Sequence, residues 1–313
     1  MTISHHCLSV LRARLLPVVA VLGIGWQPLN AAEPVTFPSA EAAVAALVSA
    51  ARADDKTALI AVLGDRADAL LDSGDAVADA AARARFVEQY EEANALVPDA
   101  DGHLTLEVGT DGWPSPVPLL KRGDAWAFDT DAGVDEMVYR RIGRNELGAI
   151  ETLRGIVDGQ ADYAAEGRDG LPAGIYARRL MSSPGKHDGL YWPTQPDESA
   201  SPVGPFVASA STEGYTPGEG ADGNTYHGYR YRLLTSQGAA APGGARDYLD
   251  GELLKGGFAV VAYPASYRVS GVQTFLVSHD GVVYQQDLGD STGKTAAELG
   301  TFDPDAGWSK AEQ

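Results

Sequence analysis

The sequence is short of cysteine, of histidine and of positive charge. Among 313 residues there is one cysteine, Cys7, and there are six histidines; 24 Lys and Arg face 43 Asp and Glu, for a formal net charge of −19. Each shortage excludes something. An acidic field repels phosphate backbones and anionic lipid heads, so no nucleic-acid partner is expected. The histidines past the leader, His103, His187, His227 and His279, include no pair at helical ligand spacing. No apolar run approaches the roughly 20 residues of a membrane span. The 44% hydrophobic content nevertheless provides for a packed core, and the length suits two modest domains.

The amino end carries an address. Met1 to Arg14 holds Arg12 and Arg14 and no acid; Leu15 to Trp26 is apolar apart from two glycines; small residues follow at Asn30-Ala31-Ala32. That order is the signature of a secretory signal peptide over residues 1–31, cleaved after Ala31 or Ala32. Cleavage removes Cys7 and two arginines, leaving a cysteine-free chain of net charge −21. Disulfides, thiol nucleophiles, zinc-thiolate sites and iron–sulfur clusters are thereby excluded. The expected location is the periplasm or the exterior. The expected partner is an envelope or extracellular ligand or protein, with no membrane span left after cleavage.

Periodicity then divides the mature chain. Over 36–130, Ser39, Asp55 and Asp75 stand where helix caps belong, the third helix running to about Ala95. After Pro98 the period falls to two: Leu104, Leu106 and Val108 alternate with polar residues, and Val117–Lys121 and Ala125–Asp129 read as a hairpin. Over 131–313 a long helix to Glu166 carries a stripe of Ile142, Leu147, Ile150, Leu153, Ile156, Val157 and Tyr163. Residues 168–225 are rich in Gly, Pro and Ser, with a strand at Ile175–Leu180. Four strands follow, Tyr226–Thr235, Phe258–Tyr263, Val272–Ser278 and Val282–Leu288, the last two joined by a type I′ turn at Asp280-Gly281. The fold class is α+β: helices with a small antiparallel curved sheet, then a long helix packed on a four-stranded antiparallel meander.

The order of the first module resembles the cone-shaped domains related to nuclear transport factor 2. NELGAIETLRGIVDGQADY (Asn145–Tyr163) and the meander after it resemble pseudopilin-like proteins, but no apolar membrane half precedes Asn145. The runs WPSPVPLLKRGDAWAFDTDAG, RRIGRNELGAI, SSPGKHDGLYWPTQP, SPVGPFVA, YHGYRYRLLTSQGAAAPGGA and GFAVVAYPASYRVSGVQTFLVSHDGVVYQQDLG, spread from Trp113 to Gly289, are similar to the bacterial family catalogued as domain of unknown function 2950. The resemblance implies an exported bacterial protein and brings no catalytic residues with it.

Candidate chemistry is sparse. Gly289-Asp290-Ser291-Thr292-Gly293 matches a nucleophile elbow, but no histidine follows it to complete a triad in chain order. Gly293-Lys294-Thr295 lacks the first glycine of a P-loop, Leu288 standing in its place. Asp129, Asp131, Asp135 and Glu136 offer oxygens for Ca²⁺, although Gly133 and the missing terminal Glu break EF-hand spacing. The same acids suit a helix start. His187, Asp188, Tyr191, Trp192, Tyr229 and Arg230 would line one cleft if the loop 183–206 folds over the first meander strand, a mixture of rings and polar groups suited to small molecules or glycans. No cofactor is expected. The leading reading is a non-enzymatic binding or envelope-interaction protein. The alternatives are a hydrolase using Ser291 or an acid/base pair near His187, and a calcium-stabilised structural module.

Protein recovered from an export-competent bacterial host should begin at Ala32 or Glu33 by amino-terminal sequencing. Intact Met1 on the exported fraction would overturn the leader assignment.

Overall fold

The computed structural model describes residues 35–99, 101–195, 197–212, 215 and 225–311; the expected signal peptide, residues 1–31, lies outside the described residues. Three carboxylate and hydroxyl caps start the chain's first helices. Ser39 accepts from Ala42 N at 3.1 Å to open Ala40–Arg52, Asp55 from Ala58 N at 3.0 Å to open Lys56–Leu63, and Asp75 from Ala78 N at 3.1 Å to open Ala76–Glu92. Each satisfies an amide that the helix itself leaves without a partner.

The third helix stops three residues short of the expected Ala95. Asn94–Pro98 is instead a strand, paired antiparallel with Leu104–Val108 from Asn94↔Val108 to Pro98↔Leu104. Cross-strand pairing overrides the high helix propensity of Ala95 and Leu96. The small sheet continues through Leu119–Arg122 to Ala125–Phe128, with Trp113–Pro114 beside its second strand. Leu106, Val108, Leu119 and Phe128 from this sheet meet Val44, Leu47, Val48 and Leu59 from the helices in a first core.

The helix Thr130–Ala165 has 36 residues and is therefore about 54 Å long. Ile142, Ile150, Leu153, Ile156 and Tyr163 are buried as their spacing implies, but Leu147 is 70% exposed. At 3.6 residues per turn Leu147 sits about 120° round from Leu153 and so leaves the stripe. The helix's first turns lie against the first lobe. A Cβ at Gly133 would overlap the Pro116 carbonyl, Arg66 bridges Asp131 and Asp135 at 3.1 Å each, and Arg141 donates to the Leu70 carbonyl. Its later turns cover a second sheet.

That sheet is antiparallel and has six strands in the order Ser309–Lys310, Val283–Asp287, Gln273–Ser278, Ala259–Pro264, Tyr229–Leu234, Thr225–Tyr226. The expected meander forms its centre, with two short pieces added at the edges. Ala259, Val260, Val261 and Ala262 are all buried, so both faces of the central strand are covered. Tyr231 meets Thr152 of the long helix, whereas the adjacent Arg232 donates to Ala296 and Leu299 carbonyls at the end of the helix Thr292–Glu298, on the opposite face.

Two local expectations change. The hairpin after Ser278 is not a two-residue type I′ turn: five residues separate the pair Val277↔Val283, the turn closes through Gly281 N to Ser278 O at 2.9 Å, and only Gly281, not Asp280, has positive φ. A loop of that length ends naturally in a left-handed glycine. In the 168–225 segment the strand is Arg179–Met181, parallel to Gly189–Tyr191, rather than Ile175–Leu180, and a helix runs over Gly204–Thr212. Gln160 of the long helix pins the entry to this segment: its buried amide donates to Ala177 O at 2.9 Å and accepts from Ala177 N at 2.8 Å.

Leu153→Ala should cost about 2–5 kcal/mol in urea unfolding, because it opens a cavity between helix and meander. Leu147→Ala should cost no more than about 0.5 kcal/mol. Equal losses would mean that the helix faces the sheet differently.

Candidate functional site

The loop after the long helix is locked by an ionic and aromatic node around His187. Asp169, at φ +48, accepts the His187 backbone N–H at 2.8 Å and sets its other oxygen 3.0 Å from Nδ1. Glu198 lies 2.6 Å from Nε2. The imidazole packs on Trp192 with ring centres 4.5 Å apart, and the Arg168 guanidinium lies over both Trp192 and Tyr163. Tyr163 donates its hydroxyl to the His187 carbonyl. A carboxylate of the protein stands against each ring nitrogen of His187, so neither nitrogen is directed at open space where a substrate could sit. The Gln195 N–H, and after it His187, holds the Glu198 carboxyl below the usual carboxylate range.

The six residues expected to share a cleft are only partly brought together. His187 and Trp192 are in contact, and Asp188 and Tyr191 lie on the adjoining turn and strand. Asp188 accepts from Ser183 N and Oγ at 2.7 and 2.8 Å. Tyr229 is 0% exposed in the core and donates to Gln273 O at 2.9 Å. Arg230, the next residue on the strand, points to the other face of the sheet, so the two cannot line one cleft. Strand alternation separates them, which the aromatic composition of YHGYRY conceals.

The four calcium candidates are engaged with partners of their own. Asp129 caps the long helix by accepting from Ala132 N at 3.3 Å, Asp131 and Asp135 pair with Arg66, and Glu136 pairs with Arg140 at 2.8 Å. Among the described residues no group of three or more His, Cys, Asp or Glu is placed to hold a metal ion. Ser291 is exposed in a 3-10 turn ahead of Thr292–Glu298, and its side chain does not cap that helix; Thr292 Oγ1 closes the turn on Gly289 O at 2.6 Å. Among the described residues no hydrogen bond joins Ser291 to an imidazole.

A second polar cluster seals the lobes together. The buried Asp75 carboxylate, besides capping its helix, accepts from Tyr215 O–H and Gly228 N, each at 2.8 Å. Gly228, at φ +73, passes so close to Asn145 that a side chain there would overlap its amide. His227 beside it has φ +49 and stacks on Tyr226 at 3.9 Å. Burial raises the Asp79 carboxyl above its usual range, against the opposing pull of Ser73 donors and Arg141. These groups satisfy one another inside the protein.

Next to the His187 node the surface opens. Arg178–Met181 and Tyr231–Leu233 line a depression of about 320 Å³ between the edge of the short parallel pair and the free part of the meander's outer strand. The arginines here were not singled out from the sequence. Their signal was the adjacent Arg178-Arg179 pair and the Arg230-Tyr231-Arg232 alternation in a chain poor in basic residues.

Fold and surface together define an α+β protein with a loop-framed depression. The chain belongs to the family described as protein of unknown function DUF2950, which matches it over residues 35–311. No curated protein and no solved structure gives a match. Among the described residues no helix is long and apolar enough to cross a membrane.

Glu198 gives the node a defined pH response. A carboxyl whose folded pKa is lowered stabilises fully above its unfolded value, about 4.3, and loses that contribution as pH falls through the folded value. Glu198→Gln should therefore melt below the wild type at pH 7, with the gap closing as both are acidified below about pH 4. A gap independent of pH would remove Glu198 from the node.

Proposed function

We propose that the protein is exported and works outside the cytoplasm as a non-enzymatic binding protein. The observation that carries this reading is the open depression of about 320 Å³ beside a loop held rigid by the His187 node. Its size lies at the lower end of small-molecule sites, roughly 300–1,000 Å³. Long loops in compact domains are characteristically functional, and Arg178–Met181, from the described part of this one, border the depression. The leader residues Leu15–Trp26 support the location, and the cysteine-free mature chain is indifferent to the redox state there. The hydrolase alternative is weakened by the double occupation of His187 and the isolation of Ser291.

The test is differential scanning fluorimetry of the mature protein against a panel of small carboxylates, phosphates, amines and neutral sugars. At least one class should raise the melting temperature by about 2 °C or more at ligand well above its Kd. Leu180→Trp, which fills the depression, should abolish that rise. Esterase or phosphatase turnover lost on Ser291→Ala or His187→Ala would overturn the reading, as would a panel without any stabilising compound.

A further inference from the structure

Three arginines line the depression of a protein in which acids outnumber bases 43 to 24. Arg178 gives one terminal nitrogen to the Glu252 carbonyl at 2.9 Å. Arg179 has a side chain 63% exposed, and its Nε is 3.8 Å from Asp188, beyond hydrogen-bond reach. Both Asp188 oxygens already accept from Ser183. Arg232 spends Nη2 on the Ala296 and Leu299 carbonyls, while its Nε is buried and makes no hydrogen bond among the described residues. A guanidinium carries five donors in a planar fork that matches a carboxylate or phosphate two bonds at a time. Arg178 and Arg179, both at exposed positions, border the depression with donors to spare, while the Arg232 guanidinium is committed on the opposite face of the sheet and Arg232 contributes only its place on the strand. The remaining lining is the half-buried Leu180, Met181 and Leu233 and the buried Tyr231.

The geometry points to a binding site for an amphiphilic oxyanion, its carboxylate or phosphate head held by Arg178 and Arg179 and its short apolar body lying on Leu180, Met181 and Leu233. This rests on the binding reading above and names the ligand class. Head and body are recognised by different residues, so they separate experimentally.

The experiment titrates ¹⁵N-labelled mature protein with sodium octanoate, inorganic phosphate, octylamine and octan-1-ol, following the arginine Nε–H signals and the amides of 178–181 and 231–233. Octanoate should shift these signals saturably. Arg178→Gln/Arg179→Gln, both at exposed positions, should weaken it at least tenfold without lowering the melting temperature. Arg179→Lys, which keeps the charge and loses the fork, should fall between. Phosphate binding as tightly as octanoate, with the same arginine dependence, supports the oxyanion head and makes the free inorganic anion the ligand. Octanoate binding tighter than phosphate supports the amphiphile. Octanol or octylamine binding as well as octanoate overturns the oxyanion site and leaves the binding reading standing. Silence from all four probes overturns the oxyanion site as well, and the fluorimetric panel then decides the binding reading separately.

Discussion

A helix of 36 residues, Thr130–Ala165, is longer than either core it serves, and both lobes are built around that excess. Its first turns need a flat approach to the Pro116–Val117 backbone, which Gly133 permits, and they are held by Arg66, which pairs with Asp131 and Asp135, and by the helix's own Arg141, which donates to the Leu70 carbonyl. Its later turns present Ala149, Leu153 and Ile156 to the meander, where Tyr229, Ala262 and Phe275 complete the second core. A rigid rod of this kind makes the lobes mechanically continuous, because a shift at one end is carried along unbroken backbone hydrogen bonds to the other.

Polar groups then fix what apolar packing leaves free. Hydrophobic contact is non-directional and would tolerate many arrangements of a Gly- and Pro-rich loop. Asp75 removes that freedom at the junction by accepting from Ala78, Tyr215 and Gly228 at once, and Gln160 removes it at the loop entry by pairing both ways with Ala177. These groups are deeply buried, so leaving either without its partners costs more than an exposed hydrogen bond returns. The His187 node is the more solvent-exposed counterpart. It owes its order to a ring held on two edges by carboxylates and on one face by Trp192.

What could be read from the chain follows the range of the interactions involved. Caps at Ser39, Asp55 and Asp75 act over three residues and were legible, as were the meander strands, whose alternation is local. Asn94–Pro98 was not, because its strand character comes from its partner Leu104–Val108 rather than from its own residues. Leu147 fitted a spacing of three and four yet drifts off the buried face when angles are summed along the helix. At the site, His187 and Trp192 were visible as an unusual local composition. Asp169 and Glu198 were not, since they meet His187 across separations of 18 and 11 residues. Tyr229 and Arg230 were grouped by adjacency, which on a strand guarantees opposite faces.

An anion site in so acidic a protein looks like a contradiction until the ranges of the forces are compared. The net charge acts at distance, and at physiological ionic strength exposed charges are largely screened beyond about 8 Å. Bidentate contacts act at hydrogen-bond length, where a guanidinium fork is little affected by carboxylates beyond the screening distance. The acidic surface would therefore slow the arrival of anions without cancelling the contact, and it would discriminate against large polyanions, whose many charges meet the whole field. A single small headgroup with an apolar body evades most of that repulsion. The combination of an acidic exterior and a local arginine cluster would thus select for size and valence as well as for sign.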